Sequence, residues 1–398
     1  MEYSHDCFLK QIAESLYRIH GQNIADIVHY QVGTAIQSIF WNSENICVLE
    51  KGRFGIFLES GWDRDALEVC VELLRERLKT PVSINRLEVQ VSPSFGLAVP
   101  EAIPDEPEVF IQYAETACEY GIRNHMGTVV VPFETRMQAE KEYQGRIEHC
   151  KKRAVENGEF SLVYQPQYSR NPEKDPVGYE ALIRWNNKEL GNVSPAVFIP
   201  LAEAEGQITG IGEYVINETC RFIRTYLDTW QKPVRIAVNA SFLELMDSHY
   251  IERLMGYVNQ YGLKPEMLSI EITETAISKY LDAVIDNLRS LREHGFEIHL
   301  DDFGTGYSSL NHLGRLPVNL LKIDRSFVWE LEESTRMREL TDLIIKVAHQ
   351  LDMEVCAEGV ETEAQFSLLR DMGCDIFQGF LLSKPRSGER LLELAGTH

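Results

Sequence analysis

Two adjacent acids, Asp301 and Asp302, follow an apolar alternation through Phe296, Ile298 and Leu300 and precede a turn punctuated by Gly304 and Gly306. The period-two alternation predicts a half-buried strand, which the glycines end. Successive strand side chains point to opposite faces, but at a strand's end the backbone is already turning, so both carboxylates can reach one small volume. Acids that close repel each other unless a cation lies between them. Taken alone, the pair also fits a turn followed by a helix cap, and the rest of the chain decides between the two.

Similar groups recur in other apolar runs. Gln165 follows Phe160–Tyr164, Glu180 and Arg184 lie along Val177–Trp185, and Asn239 closes Val234–Asn239. Glu271 and Glu274 stand on Leu268–Thr273 and its end, Lys322 and Asp324 on Leu320–Asp324, Glu358 closes Glu354–Glu358, and Gln378 lies within Asp375–Phe380. Capping could explain one or two of these but not all of them. An interior cluster of Glu180, Asn239, Glu271, Asp301, Asp302 and Glu358 carries more negative charge than a low-dielectric interior tolerates without cations. Oxygen ligands with one neutral amide suit hard divalent ions, Mg2+ or Mn2+, rather than zinc.

Two such ions about 3.5–4 Å apart, bridged by a carboxylate such as Asp301, would acidify a shared water and clamp a phosphate for in-line displacement. Lys322 sits in LLKID with apolar neighbours on both sides, which fits a surface lysine poorly. It suits a cation beside the attacking water or the charge developing on phosphorus. Arg184 and Gln378 could hold a phosphate oxygen and a base edge.

Positioning these groups requires strands that converge. From Glu159 on, eight strand-like runs alternate with helical patterns such as Leu340, Leu343, Ile344, Val347, Ala348 and Leu351. Eight strands over about 240 residues match a (β/α)8 barrel, where chemistry collects at the C-terminal strand ends. An open doubly wound sheet would usually carry a GxGxxG turn after its first strand, where this chain reads YQPQYS.

Composition narrows the ligand. A formal charge of −22 repels polymeric nucleic acid and anionic membranes, so a phosphate-bearing ligand must be drawn in by local cations or bound metal. The eight cysteines are scattered from Cys7 to Cys374 without a CxxC pair, the usage of a reducing cytosol. No apolar run approaches the roughly 20 residues of a membrane span and no signal peptide opens the chain. These features point to a cytoplasmic protein, leaving an upstream membrane or sensory region open.

Residues 1–134 read as one small α/β module. Strands are expected at Ile46–Leu49, Phe54–Leu58, Leu87–Ala98 and Thr128–Phe133, and helices at Asp63–Leu78 and Pro107–Tyr120. Residues 135–158 are charge-rich and read as a solvated connecting helix, either a transmitter of rotation or dimer geometry or a passive spacer. The order of the first module resembles a GGDEF (diguanylate cyclase) domain. HYQVGTAIQSIF is similar to its GHxxGD helix, SPSFGLA to its S-x-G-x-A strand, and YAETACEYGIRNHMG to its AD-x-ALY-x-AK-x-x-GRN segment. Lys51-Gly52-Arg53-Phe54-Gly55 stands where the GGDEF hairpin is expected and replaces both acids by a cation and an aromatic. Metal-assisted condensation of nucleotides then lacks obvious ligands. Asn42 and Asn45 fall where the family's inhibitory RxxD site would be. Little room precedes Asp6 for the family's first strand, so the resemblance implies upstream sequence or a shortened module. It implies a catalytically dead, regulatory module, with three roles open: an allosteric site for GTP, a dimerisation platform, or an inhibitory partner.

Residues 159–388 resemble the EAL-domain cyclic di-GMP phosphodiesterases. The resemblance rests on an ordered set: Glu180-Ala181-Leu182 with Ile183-Arg184-Trp185, VNAS at Val238–Ser241, EITET at Glu271–Thr275, DDFGTGYSSL at Asp301–Leu310, LKIDRSF at Leu321–Phe327, AEGVET at Ala357–Thr362 and QGFLLSKP at Gln378–Pro385. It implies a modified (β/α)8 barrel over 159–398, its first strand antiparallel to its neighbours. Glu180, Asn239, Glu271 and Asp301 would hold one metal, and Asp301, Asp302 and Glu358 the second. Lys322 would position the water, with Glu358 and Glu180 also catalytic. Gln165, Leu182, Arg184, Asp324 and Gln378 would contact substrate, and Glu274 with the Phe303–Leu310 loop would couple a homodimer interface to the metals. The expected activity is hydrolysis of cyclic di-GMP to linear pGpG, and no expected ligand is missing. The alternative is a catalytically silent receptor or signalling scaffold. The polar stretch Ser169–Asp175 is expected near the substrate rim.

Overall fold

The structure is a computed structural model describing residues 6–10, 22–40, 46–50, 53–57, 64–84, 87–89, 91, 93–98, 107–124, 130–173, 175–304 and 313–394. The chain divides into two compact units, Met1–Arg146 and Ile147–His398. Among the described residues no helix is long and apolar enough to cross a membrane.

The first unit contains β1 (Asp6–Lys10), α1 (Gln22–Ile39), β2 (Ile46–Glu50), β3 (Arg53–Phe57), α2 (Arg64–Leu78), β4 (Val82–Ile84), β5 (Leu87–Val89), β6 (Ser94–Ala98), α3 (Pro107–Arg123) and β7 (Val130–Pro132). Five strands form one sheet in the order β2-β3-β1-β6-β7. Asp6–Lys10 is the central strand, antiparallel to both β3 and β6, and the residues before it, where little room for a first strand is expected, lie outside the described residues. The expected strand Leu87–Ala98 divides into β5 and β6, with Pro93, which has no N–H to donate to a ladder, between them. Gly96 lets α3 approach the sheet, since a Cβ there would run into the Ala114 carbonyl. Arg53 pairs with Glu115 at 3.1 Å, and Phe54 is buried and stacked on His29 at 4.5 Å. Asn42, Asn45, Lys51 and Gly52 lie outside the described residues.

Helix α4 (Thr135–Lys151) precedes the barrel. The expectation of a solvated helix fails at its end: Ile147 is fully buried, and Lys151 is buried 3.4 Å from Glu205. The second unit continues with β8 (Phe160–Ser169), β9 (Gly178–Asn187), β10 (Gly191–Val193), α5 (Pro195–Ala204), α6 (Ile208–Trp230), β11 (Ile236–Asn239), α7 (Phe242–Leu245), α8 (Tyr250–Gln260), β12 (Leu268–Thr273) and α9 (Glu274–Glu293). It ends with β13 (Glu297–Phe303), β14 (Leu320–Ile323), α10 (Arg325–Glu330), α11 (Thr335–Gln350), β15 (Glu354–Ala357), α12 (Glu363–Asp371), β16 (Ile376–Phe377), β17 (Arg386–Ser387) and α13 (Gly388–Leu394).

Strands β9-β11-β12-β13-β14-β15-β16 run parallel in that order, and β8 closes the barrel between β16 and β9, antiparallel to both. The eight residues between β8 and β9 are too few for a parallel crossover, so the pair folds as a hairpin and the first αβ alternation is absent. Leu320, Cys356 and Ile376 from three consecutive strands pack as one apolar cluster. Phe160 and Trp185 pack outside the barrel wall against Phe198 of α5. At the other end of β8, Arg170 bonds Asp375 at 2.8 Å and the Cys374 carbonyl at 2.8 Å, tying the reversed strand to β16.

Candidate functional site

Alternation along the strands decides which side chains enter the barrel. On β9, Glu180, Leu182 and Arg184 share the inner face, and register places Gln165 of β8 directly across from Glu180. Gln165 therefore does not follow its strand, as the sequence suggested, but lies inside it, because β8 runs in the opposite direction. Asn239 pairs in register with Glu271, and Glu271 with His299. His299 and Asp301 follow on one face of β13, with Lys322 on the next strand.

Lys322 is completely buried, and its Nζ lies 2.7 Å from Glu358 Oε1, 3.0 Å from Glu271 Oε2, 3.1 Å from Asp301 Oδ1 and 3.4 Å from Glu180 Oε2. Burial works against its charge, but the four carboxylates outweigh it and raise the ammonium pKa well above its ordinary value. One ammonium cannot neutralise four carboxylates. Burial pushes Glu271 up to about 7, with Lys322 opposing, and holds Glu358 well above the carboxylate range. Glu180 is the exception: burial is outweighed by Lys322 and by hydrogen bonds from Gln378 and Asn239, so its pKa falls. Burial and the neighbouring Asp301 and Asp324 raise Asp302 to about 6.

These acids form two overlapping sets of oxygens, Glu180–Glu271–Asp301 and Asp301–Asp302–Glu358, with the offered atoms of each set within 4.8 Å of one another. Asp301 belongs to both. Converging carboxylates with excess negative charge suit hard divalent cations, and Asn239 adds an amide beside Glu180, its Nδ2 donating to Oε1 at 3.1 Å. Thus Glu180, Asn239, Glu271, Asp301, Asp302, Lys322 and Glu358 are brought together.

The strand end is shaped to present the paired acids. Asp302 has φ 55°, a left-handed conformation that aspartate tolerates better than most residues, and its N–H donates to Asp301 Oδ1 at 3.0 Å. Glu274 is buried and is the first residue of α9 rather than part of the strand; its Oε2 accepts from the Gly304 N–H at 2.6 Å. Gly304 has φ 102°, and a Cβ there would collide with the Phe327 ring. The rest of the expected coupling loop, residues 305–310, lies outside the described residues.

The expected substrate contacts divide. Gln378 donates from Nε2 to Glu180 Oε2 at 2.6 Å and to Gln165 Oε1 at 3.4 Å, while accepting from Gln167 at 2.9 Å. Leu182 and Arg184 stand half-buried on the face of Glu180, and Arg184 donates to its neighbour's carbonyl, Ile183, at 2.9 Å. Burial lowers the Arg184 pKa, with Glu180 opposing. Asp324 stands past the end of β14 as the N-cap of α10, accepting from Ser326 N at 2.9 Å. Three polar residues of the barrel interior, Gln167, Ser269 and His299, have no role among the sequence expectations. The alternation that placed Asp301 puts His299 one layer beneath it on the same face, a signal present in IHLDD.

Comparisons with known proteins agree on the second unit. The family described as EAL domain matches residues 151–385. The chain is 34% identical over 374 residues to the bifunctional diguanylate cyclase/cyclic di-GMP phosphodiesterase MucR of Pseudomonas aeruginosa, covering 94% of this chain and 54% of MucR. It is 31% identical over 383 residues to the cyclic di-GMP phosphodiesterase NbdA of the same organism, covering 94% of this chain and 47% of NbdA. The chain therefore spans about half the length of these relatives. The solved PaMucR phosphodiesterase in complex with c-di-GMP matches at 39% identity and a TM-score of 0.59, over 62% of this chain and 99% of that one.

Proposed function

Because the chain belongs to the EAL domain family, we propose that its barrel hydrolyses cyclic di-GMP at one 3′ ester to give linear pGpG, using two divalent cations, Mg2+ or Mn2+. The observation carrying this reading is the buried Lys322 ammonium among Glu180, Glu271, Asp301 and Glu358, with Asp302 alongside. Glu180, Asn239, Glu271 and Asp301 would hold one ion, and Asp301, Asp302 and Glu358 the other. When bound, the ions supply Lewis acidity toward the phosphoryl oxygens and an acidified water.

The remaining work falls to the chain's own side chains. Lys322, relieved of neutralising four carboxylates, donates to the attacking water and to the charge developing on phosphorus. Glu358, the carboxylate nearest Lys322, takes the water's proton. One phosphorus–oxygen bond forms to the water oxygen as the bond to the 3′ oxygen breaks, and the proton taken by Glu358 ends on the departing 3′ oxygen, giving the free 3′ hydroxyl of pGpG. Arg184 on the rim binds a phosphate oxygen, Gln165 and Gln378 present amides to a base, and Leu182 and Asp324 flank them. Ionised Glu180 is both ligand and anchor for Gln378.

Residues 1–134 act as a degenerate GGDEF-like regulatory module and 135–158 as its connection to the barrel at 159–398. The replacement of acids around Arg53, which pairs with Glu115 instead of presenting a carboxylate, supports this reading. Dimerisation through the barrel and GTP binding to the first module complete the scheme.

Incubation with cyclic di-GMP and Mg2+ or Mn2+ tests it, by chromatographic detection of pGpG. Wild type should form pGpG and Glu180→Ala should not. Should both leave the nucleotide intact while wild type binds it, the chain is a receptor rather than an enzyme. Acceleration of pGpG formation by GTP would support an allosteric first module, and no effect at millimolar GTP would remove that role.

A further inference from the structure

We infer that His299 is a positioning residue that fixes Glu271 as a one-oxygen metal ligand. This rests on the reading of Glu271 as a ligand. The two oxygens of Glu271 are held from different sides: Oε2 faces Lys322 Nζ at 3.0 Å, while Oε1 faces His299 Nδ1 at 3.4 Å. Both residues are sealed from solvent, Glu271 at 0% and His299 at 2% exposure. As a metal ligand Glu271 is ionised and only accepts, so in that state the proton of the contact resides on Nδ1. His299 Nε2 has no hydrogen bond, and the nearest carboxylate oxygen on that side, Glu297 Oε2, is 3.6 Å away. Glu271 is therefore the ring's one partner within hydrogen-bond distance among the described residues, with Glu297 making a longer charge contact at the ring's other edge.

Among the described residues no neighbour takes the place of His299 from below. Ser269, two residues before Glu271 and on the same strand face, has a buried hydroxyl with no partner, so it does not reach Oε1. An unrestrained carboxylate can rotate and present either oxygen or both. A donor on Oε1 removes that freedom and leaves Oε2 directed at the centre of the acid cluster. Hydrogen bonds to the far atom of a ligand commonly change metal affinity by about 10–100-fold.

The test is Mn2+ binding to the full chain without nucleotide, followed by the electron paramagnetic resonance signal of free Mn2+. His299→Asn keeps an amide N–H near the position of Nδ1, His299→Gln carries its amide out toward Nε2, and His299→Leu fills the space with no donor. We expect one class of Mn2+ site to weaken by about 10–100-fold in the leucine and glutamine variants and to recover toward wild type in the asparagine variant. Leucine or glutamine binding Mn2+ as tightly as wild type, or asparagine binding no better than glutamine, overturns the inference. So does a wild type that binds no Mn2+. Should the leucine variant fail to fold by circular dichroism, the asparagine and glutamine pair decides. Formation of pGpG is scored separately: a Mn2+-binding wild type with the expected variant order but no pGpG leaves the inference standing and removes the phosphodiesterase reading.

Discussion

Lys322 Nζ and Glu358 Oε1 lie 2.7 Å apart on neighbouring staves of the barrel, the shortest of the four ion pairs that the lysine makes. Lys322 pairs in register with Cys356, so Glu358, two residues on, enters the barrel one layer above. A cation is thus built into the place where the carboxylates converge, and its removal separates electrostatic from catalytic roles. Lys322→Met should lower stability of the metal-free protein at pH 8 by about 3–5 kcal/mol, because buried carboxylates lose their partner. The loss should shrink at pH 5, where carboxylates of raised pKa are protonated, and when Mn2+ is added. Hydrolysis of cyclic di-GMP should fall about 100- to 1,000-fold while Mn2+ still binds. Thermal unfolding and pGpG assays measure both, and a wild-type rate would exclude Lys322 from the reaction.

Metal removal should weaken the fold wherever the two acid sets hold ions. Treatment with EDTA should lower the melting temperature at pH 8, and Mn2+ at about 100 times its Kd should restore about 2.7 kcal/mol per site. Glu180→Gln should blunt this response, since Glu180 contributes to one set. An identical Mn2+ shift in the variant would take Glu180 out of the ligand set.

Glu274 holds the turn beyond Asp301 and Asp302 through the Gly304 N–H. Glu274→Ala leaves that amide without its charged acceptor, a loss of about 1.5–3 kcal/mol. We expect kcat for pGpG formation to drop with little change in KM, because the acids rather than the nucleotide contacts are displaced. Gly304→Ala should be worse, combining a left-handed backbone with a clash against Phe327. Unchanged kcat in Glu274→Ala would dissociate the turn from the site.

Glu244 offers a pH-dependent test away from the metals. Burial pushes it up to about 7, against a hydrogen bond from Ser241 N and the charge of Arg253, with Glu203 and Glu213 adding repulsion. Gly212 makes room for it, since a Cβ there would collide with Oε1. With the folded pKa raised above the ordinary 4.5, the folded state binds the proton more tightly. The stability contributed by that proton is present below about pH 4.5 and is lost as pH rises through about 7. Glu244→Gln keeps an acceptor for Ser241 N and has no charge to bury. Relative to wild type it should gain up to about 3 kcal/mol between pH 5 and pH 8, read by urea unfolding at both pH values. A gain independent of pH would show that Glu244 is already ionised at pH 5.

Much of the barrel was legible in the sequence because burial leaves a period. The alternation in FEIHLDD, the lysine enclosed in LLKID and the acids spaced through apolar runs are local patterns, and local patterns follow from strand geometry alone. What they could not express is direction and neighbourhood. Gln165 was expected beyond its strand and lies inside it; Asp324 and Glu274 were expected on strands and begin helices. Leu87–Ala98 read as one strand and is two. His299 carries the right parity, but parity names a face and not the residue it meets.

The sequence by itself determined the number of barrel strands, the identity of the inward acids and the burial of Lys322. These depend only on which side chains resist water and on a repeat of two. Tertiary structure decided that β8 runs against its neighbours, that Gln165 faces Glu180, and that Glu271 is held between Lys322 and His299. Those contacts join residues as far as 209 positions apart, from Tyr168 to Phe377. They arise from the register at which a closed ring of strands can satisfy its last backbone ladder, a condition no single segment contains.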